Sequence, residues 1–315
     1  MFTLPMKIEK SIVIDRSVND VYETVANFNT WRDWSPWLCQ EPECSVSVIG
    51  AAGKQGHKQH WDGKRIGSGE MALISSLKNT QISYDLTFLK PWKSHCKVAF
   101  DFSEQEENKT RLTWCMDGTL PIFMFFMREP MTAMVGSDYE RGLTMLKELE
   151  ENGSVPSIID VAGKVRQNHF YYVGLTNQDY FNDFDKTLHQ NFEVLDQCVL
   201  SGEIPAPDFK LSIYFFVDLA HHKLNVINAF AYRSGKGLDA VSIFKKGHIA
   251  SHSALCVDHL GSLRYLENAW ATVENLKRNS KDKFCKNTPA YEVYFNIDED
   301  IKGVEYKTRI YLPLR

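Results

Sequence analysis

GHIASHSALCVDHLGSLRYLENAWATVENLKRN (residues 247–279) and AYEVYFNIDEDIKGVEYKTRIYLPLR (residues 290–315) decide the fold of this chain. The first opens as a β run over 248–257. It then passes into a helix over 262–278, with Leu263, Leu266, Trp270 and Val273 at helical spacing. The second reads as two closing strands, 291–296 and 305–312. In the last strand Thr308, Ile310 and Leu312 share one face, and Lys307, Arg309 and Tyr311 share the other.

A weaker copy of the same order lies upstream: strand 169–176, helix about 183–200, strand 211–217 and strand 225–232. Residues 215–232 and 294–311 have the same spacing. Two such copies are expected to pair into one sheet, with both helices on one face and a groove between the copies on the other. Thr308, Ile310 and Leu312 are then expected against the helices. Arg309 and Tyr311 point into the groove, with Asn228, Phe230 and Tyr232 as counterparts in the first copy. Tyr294 and Phe215 stand on adjacent strands, and Trp270 either packs in the core or walls one end. Arg309 either meets an anionic or carboxylate-bearing apolar ligand, as a guanidinium fork suits, or pairs internally with Glu292, Glu305 or Glu267.

Through HLGSLRYLENAW, AYEVYFNID and YKTRIYLPL, residues 165–315 resemble the GyrI-like effector-binding domain, which also ends AraC- and MerR-type regulators. The resemblance implies a small-molecule groove lined by aromatic rings. It also implies a carboxylate on the closing strand, the centre of hydrolytic chemistry in some members. The family's TEIYLPL is here Thr308–Arg309–Ile310–Tyr311–Leu312–Pro313–Leu314, so Arg309 stands at the carboxylate position.

The first half has another grammar. KIEKSIVID (7–15) alternates as a strand, and 17–27 follows with Val18, Val21, Tyr22 and Val25 at helical spacing, capped by Asp15 or Ser17. Trp31, Trp34 and Trp37 recur every three residues. From Ser45 to Gly118 six short β runs, broken by turn residues, predict a curved antiparallel sheet. A long helix after Pro130 carries Val135, Tyr139, Leu143, Leu146 and Leu149, and stops at Asn152–Gly153. A sheet wrapped on a helix leaves a hollow suited to apolar ligands. Its candidate liners are Trp61, Tyr84, Phe88, Phe100, Trp114 and Met116, each equally suited to plain core. The run LPIFMFFM (120–127) is either a buried segment or a Met-rich flap that adds Met124 and Phe125.

The pieces SVNDVYETVANFNTWRDWSPW, HWDGKRIGSGEMALISS, ISYDLTFLKPWKSHCKVAFDF, TRLTWCMDG and MVGSDYERGLTMLKEL resemble the polyketide cyclase/dehydrase branch of the SRPBCC superfamily, a START-like helix-grip fold. That resemblance implies the fold and the cavity; it carries no activity with it. The expected fold class is therefore α+β. A helix-grip domain (1–153) and a linker (154–164) lead to a duplicated strand-helix-strand-strand domain (165–315, copies about 165–233 and 247–315).

Length and charge narrow the rest. The 315 residues suit two cores. Residues 1–153 carry 17 Lys and Arg against 21 Asp and Glu, and the remainder 19 of each, so neither half has the basic footprint of a nucleic-acid binder. Seven scattered cysteines, of which only Cys39 and Cys44 are close, read as free cytosolic thiols. His57 and His60 are expected to face solvent. Neither they nor His221, His222, His248, His252 and His259 have ligand spacing, so no metal or cofactor is expected. The N-terminus has no signal-peptide core, and no apolar run approaches the roughly 20 residues of a membrane span. The expectation is a cytoplasmic protein that binds or senses a small molecule, without a helix-turn-helix. A hydrolase or cyclase on an apolar natural product, and a module that sequesters a protein partner, are the alternatives. No acid/base pair or nucleophile stands out in the expected groove.

Overall fold

The computed structural model describes residues 3–91, 93–180, 184–221, 223–238, 244–297 and 306–315. The chain divides into two units, Met1–Val155 and Pro156–Arg315.

In the first unit β1 (Thr3–Ile14) is followed by α1 (Val18–Ala26), which Ser17 caps by accepting the Asp20 N–H at 3.2 Å. Two 3₁₀ turns, Phe28–Asp33 and Leu38–Gln40, lead to β2 (Ser45–Ile49), β3 (Lys58–Asp62), β4 (Ser68–Leu77), β5 (Gln81–Lys90), β6 (Ser94–Glu106) and β7 (Lys109–Pro121). A further 3₁₀ turn, Ile122–Met127, enters α2 (Arg128–Asn152), which ends on Gly153 at φ 81°. The sheet is antiparallel in the order β1-β7-β6-β5-β4-β3-β2, an arrangement consistent with a helix-grip fold. α2 buries Tyr139, Leu143, Met145 and Leu146. It comes so close at Gly142 that an added Cβ would stand 2.8 Å from the Trp114 ring and 3.0 Å from Pro36.

Rings fill the space between helix and sheet. Trp114 stacks on Tyr139 at 4.0 Å and on Phe100 at 4.8 Å, Trp31 meets Trp34 at 4.5 Å, and Phe28 lies between Trp31 and Tyr84. Two expectations change here. His57 is buried, not solvent-facing: its Nε2 accepts the Phe28 N–H at 3.0 Å and its Nδ1 faces the Ile49 carbonyl at 3.1 Å. Of the stretch 120–127 Leu120 is buried, but no residue of the Ile122–Met127 turn is, so the turn is not the buried segment the run allowed.

The second unit begins with β8 (Ser157–Gln167) and β9 (Phe170–Tyr180), then α3 (Phe184–Leu200), β10 (Phe209–Asp218), β11 (Lys223–Tyr232), β12 (Lys245–Ile249) and β13 (His252–Gly261). A 3₁₀ turn, Leu263–Tyr265, leads into α4 (Glu267–Asn279), and β14 (Ala290–Tyr294) and β15 (Lys307–Pro313) close the chain. All eight strands form one antiparallel sheet in the order β12-β9-β11-β10-β14-β15-β13-β8. The runs β9-α3-β10-β11 and β13-α4-β14-β15 share an element order and meet where β10 pairs with β14.

Two expected boundaries move. The stretch 154–164, read as a linker, supplies most of β8, which pairs with β13. The run 248–257, read as one strand, breaks at Ala250–Ser251. β12 joins β9 while β13 joins β15, and the Ser251 hydroxyl takes the His169 N–H at 2.9 Å instead of continuing a ladder. Asp183, His222 and Glu305 lie outside the described residues.

Both faces of this sheet are packed. One core joins Leu188, Phe192 and Leu195 of α3, Ala269 and Val273 of α4, and Val173, Phe230, Tyr294, Ile310 and Leu312 of the strands. The other joins Phe170, Leu211, Ile213, Cys256, Tyr291, Val293 and Tyr311. Phe170 reaches Tyr291 at 5.6 Å although two strands separate β9 from β14, so the sheet curls around this second face.

Candidate functional site

Strand register sets the floor between α3 and α4. Phe230, Lys210, Tyr294 and Thr308 form one rung across β11, β10, β14 and β15. Asn228, Ser212, Glu292 and Ile310 form the next. An apolar cluster thus encloses a row of polar side chains at the centre of the sheet. Buried polar groups are costly unless hydrogen-bonded, and here they bond to one another.

The bonds run in one direction. Asn177 and Asn191 donate to Asn228 Oδ1 at 2.7 and 2.8 Å, and Asn228 Nδ2 donates to Ser212 Oγ at 2.8 Å. Ser212 Oγ and the Tyr294 hydroxyl lie 2.8 Å apart, and Tyr294 donates to Glu292 Oε2. Because the Tyr294 proton goes to the carboxylate, Ser212 is the donor to Tyr294. From the other side Trp270 Nε1, on α4, donates to Glu292 Oε1. The relay therefore ends on Glu292, which is 1% exposed. Tyr214, one rung further along β10, meets the Trp270 ring edge-on at 5.0 Å. One rung the other way, Lys210 is buried, paired with Asp196 of α3 at 2.8 Å, and lies 4.9 Å from the Phe230 ring centre.

The residues expected in one groove fall into three places. Tyr294, Trp270, Phe230 and Tyr232 lie on the helix side with Glu292; Phe230 stacks on Phe192 at 6.0 Å, and the Tyr232 hydroxyl donates to the Pro205 carbonyl at 3.0 Å. Arg309 and Tyr311 lie on the opposite face, because Val293, not Tyr294, stands across from Arg309. There Arg309 grips Asp258 of the adjacent strand with two bonds, Nε to Oδ1 at 2.5 Å and Nη2 to Oδ2 at 2.7 Å. The Asp258 bond, with charge attraction, holds the guanidinium pKa above its usual range. Tyr311 stacks flat on Tyr291 at 4.7 Å, and the Tyr291 hydroxyl meets His252 Nε2 at 3.0 Å. Phe215 sits at a bulge in β10 and is 50% exposed. A buried carboxylate, Glu292, stands on β14, the strand before the closing one. The sequence signal was Glu292 flanked by Tyr291 and Tyr294 in AYEVY.

In the first unit Tyr84, Phe100, Trp114 and Met116 are buried within the ring cluster, where the Tyr84 hydroxyl donates to the Val25 carbonyl at 2.9 Å. Trp61 and Phe88 form a separate edge-on pair at 6.2 Å, Met124 is half-buried, and Phe125 is exposed. Among the described residues no group of three His, Cys, Asp or Glu is placed to hold a metal ion. Burial pushes the Cys39 and Cys115 thiols up to about 11 and Cys256 to about 12, so these cysteines stay protonated and poorly nucleophilic at neutral pH.

A helix-grip unit of mixed α and β structure followed by a second antiparallel unit is the class this geometry defines. Residues 5–151 match the family described as polyketide cyclase/dehydrase and lipid transport. That match covers nearly all of the first unit. Several solved structures are similar over about the same half of the chain. The Aha1 dimer from Colwellia psychrerythraea is 17% identical, with 47% of this chain and 98% of that one covered at a TM-score of 0.36. Protein MLL2253 from Mesorhizobium loti is 12% identical, covering 45% and 95% at 0.36. CalU16 from Micromonospora echinospora is 14% identical, covering 49% and 88% at 0.33. No curated protein matches the chain.

Proposed function

We propose that this chain is a small-molecule-binding protein whose second unit, a duplicated GyrI-like effector-binding domain, takes its ligand between α3 and α4. The observation that carries the reading is Glu292: a carboxylate at the centre of an apolar core, held by donors from a helix and from the sheet. A ligand with an apolar body and a cationic or hydrogen-bond-donating head suits that floor. Its head takes over the bond that Trp270 makes to Glu292, and its body packs against Trp270 and Tyr214. Discrimination comes from the floor, since an anionic head would face a buried carboxylate without relief. The anionic reading loses its support with Arg309 committed to Asp258. The first unit, matched to the polyketide cyclase/dehydrase and lipid transport family, is read as a second binding domain whose aromatic core must open to admit a guest.

Two naphthalene probes of opposite head charge, naphthylmethylamine and naphthoate, test the reading by fluorescence titration. The amine is expected to bind at least about tenfold tighter, and Glu292→Gln to remove most of that preference, a loss of about 1.5–3 kcal/mol. Equal binding of both probes, or an unchanged preference in Glu292→Gln, contradicts it. Native mass spectrometry of the chain purified from its host identifies the retained molecule. A co-purifying protein would favour sequestration, and turnover of the retained molecule an enzyme.

A further inference from the structure

The Ile122–Met127 turn in the first unit presents large apolar side chains to solvent. Ile122, Phe123, Phe125 and Phe126 are 50%, 60%, 68% and 64% exposed. Phe125 and Phe126 meet edge-on at 5.9 Å, so the rings cluster. Together they show roughly 400 Å² of apolar surface, the size of the largest apolar patch on a soluble monomer, which is often functional.

Strand direction gathers charge at the same end. β3, β5 and β7 all run toward it, so the 63–67 loop, the β5–β6 turn and the Ile122–Met127 turn lie along one rim of the sheet. The exposed residues Lys64, Lys90, Lys93 and Arg128 stand on that rim with half-buried Arg65, against Asp62, Glu43, Glu129 and the buried Glu41, which accepts from the Lys64, Arg65 and Ile66 N–H groups. Asp62 pairs with Lys90 and Glu43 with Arg65; Lys93 and Arg128 make no ion pair among the described residues. The excess is positive, although residues 1–153 as a whole carry 17 basic against 21 acidic side chains. Leu89, near the end of β5 on the same rim, is also exposed.

We propose that this rim docks on an anionic lipid surface, with Phe123, Phe125 and Phe126 inserting and Lys93 and Arg128 meeting the headgroups. A six-residue turn suits that partner better than a second copy of the chain. A stable protein interface needs about 800 Å² per side, roughly twice what the turn offers. Interfacial insertion needs only a short apolar tip beside cations.

The experiment is co-sedimentation of the full chain with phosphatidylcholine vesicles, with and without about one-third phosphatidylserine. The chain should pellet with the anionic vesicles and do so less at high salt. The combined variant Phe123→Ser, Phe125→Ser, Phe126→Ser should bind at least about tenfold more weakly while keeping its circular dichroism. Lys93→Glu with Arg128→Glu, which leaves the aromatic tip intact, should lose only the phosphatidylserine-dependent part. The proposal is overturned if the wild-type chain ignores both vesicles, or if neither variant changes binding. It is also overturned if sedimentation velocity shows a dimer that the serine variant dissociates, since a second copy would then cover the turn.

Discussion

At the residue scale, His259 shows what this fold does to a titratable group. It is fully buried on β13, directly across from Thr308 on β15. Its Nε2 lies 3.0 Å from Ser157 Oγ, which also accepts from Asn268 Nδ2 at 3.0 Å. Its Nδ1 has no hydrogen-bond partner among the described residues. Burial lowers its pKa from the ordinary 6.5 to about 4. The unfolded chain therefore binds a proton between pH 6.5 and 4 that the folded chain refuses. Stability from this group is complete above 6.5 and is lost as pH falls toward 4. The loss amounts to about 3 kcal/mol, with a slope up to about 1.4 kcal/mol per pH unit. His252 shifts in the same direction, mainly through burial. Urea titrations from pH 7 to pH 4 should show the decline, and His259→Gln should flatten it whatever it does to stability at pH 7. An equal slope in the variant would place the acid sensitivity elsewhere.

Glu292 shows how far residues can be read without pairing. Alternation alone puts Glu292 and Tyr294 on one face of β14, and Arg309 and Tyr311 on one face of β15. Which of these faces coincide depends on the register between the strands, and a slip of one residue exchanges them. The observed register sets Val293 opposite Arg309 and Glu292 opposite Ile310. The aromatic residues foreseen for one groove consequently separated, and a carboxylate considered only as a partner for Arg309 became the end of the relay.

At the element scale, long periodic segments were legible, and short or edge segments were not. The stripe of α2 and the six β runs of the first unit lie where spacing puts them, and the helix containing Trp270 is present but starts at Glu267, after a 3₁₀ turn, instead of at Ser262. β8 was missed because its residues are largely half-buried, as suits an edge strand, and because Pro156 and Gly163 resemble linker punctuation. α2 also carries a contrast between two glycines. At Gly142 a Cβ would meet Trp114 at 2.8 Å and Pro36 at 3.0 Å, both rigid rings. At Gly136 it would meet the Lys10 side chain at 3.2 Å, whose flexible end can move. Alanine gains about 1 kcal/mol of helix propensity at either site. Overpacking costs about 1–3 kcal/mol, and only Gly142 should incur it. Gly142→Ala is therefore expected to lower the melting temperature and Gly136→Ala to leave it level or raise it. Equal effects would mean that the helix does not press on Trp114 as described.

At the scale of the whole molecule, the boundary between units decides which residues belong to the candidate site's scaffold. Cutting at 164/165, where the sequence alone sets the start of the second domain, removes most of β8. Cutting at Val155/Pro156 keeps it. β8 pairs with β13, which carries His259 and Asp258, and the Pro156 carbonyl accepts the Ser262 N–H at 3.0 Å where the chain turns toward α4. Without residues 157–164 most of the β13 ladder is bare on one side, Ser157 no longer faces His259, and Ile159 and Ala162 leave the two cores they pack against. Fragment 156–315 is thus expected to unfold cooperatively, because both its cores close within it. Fragment 165–315 is expected to be less stable by several kcal/mol, since losing each buried aliphatic side chain costs roughly 1–3 kcal/mol before the strand's hydrogen bonds are counted. Paired urea denaturation of the two fragments measures the difference. Coincident midpoints would return 157–164 to the role of linker and would separate the scaffold of Glu292 from everything upstream of residue 165.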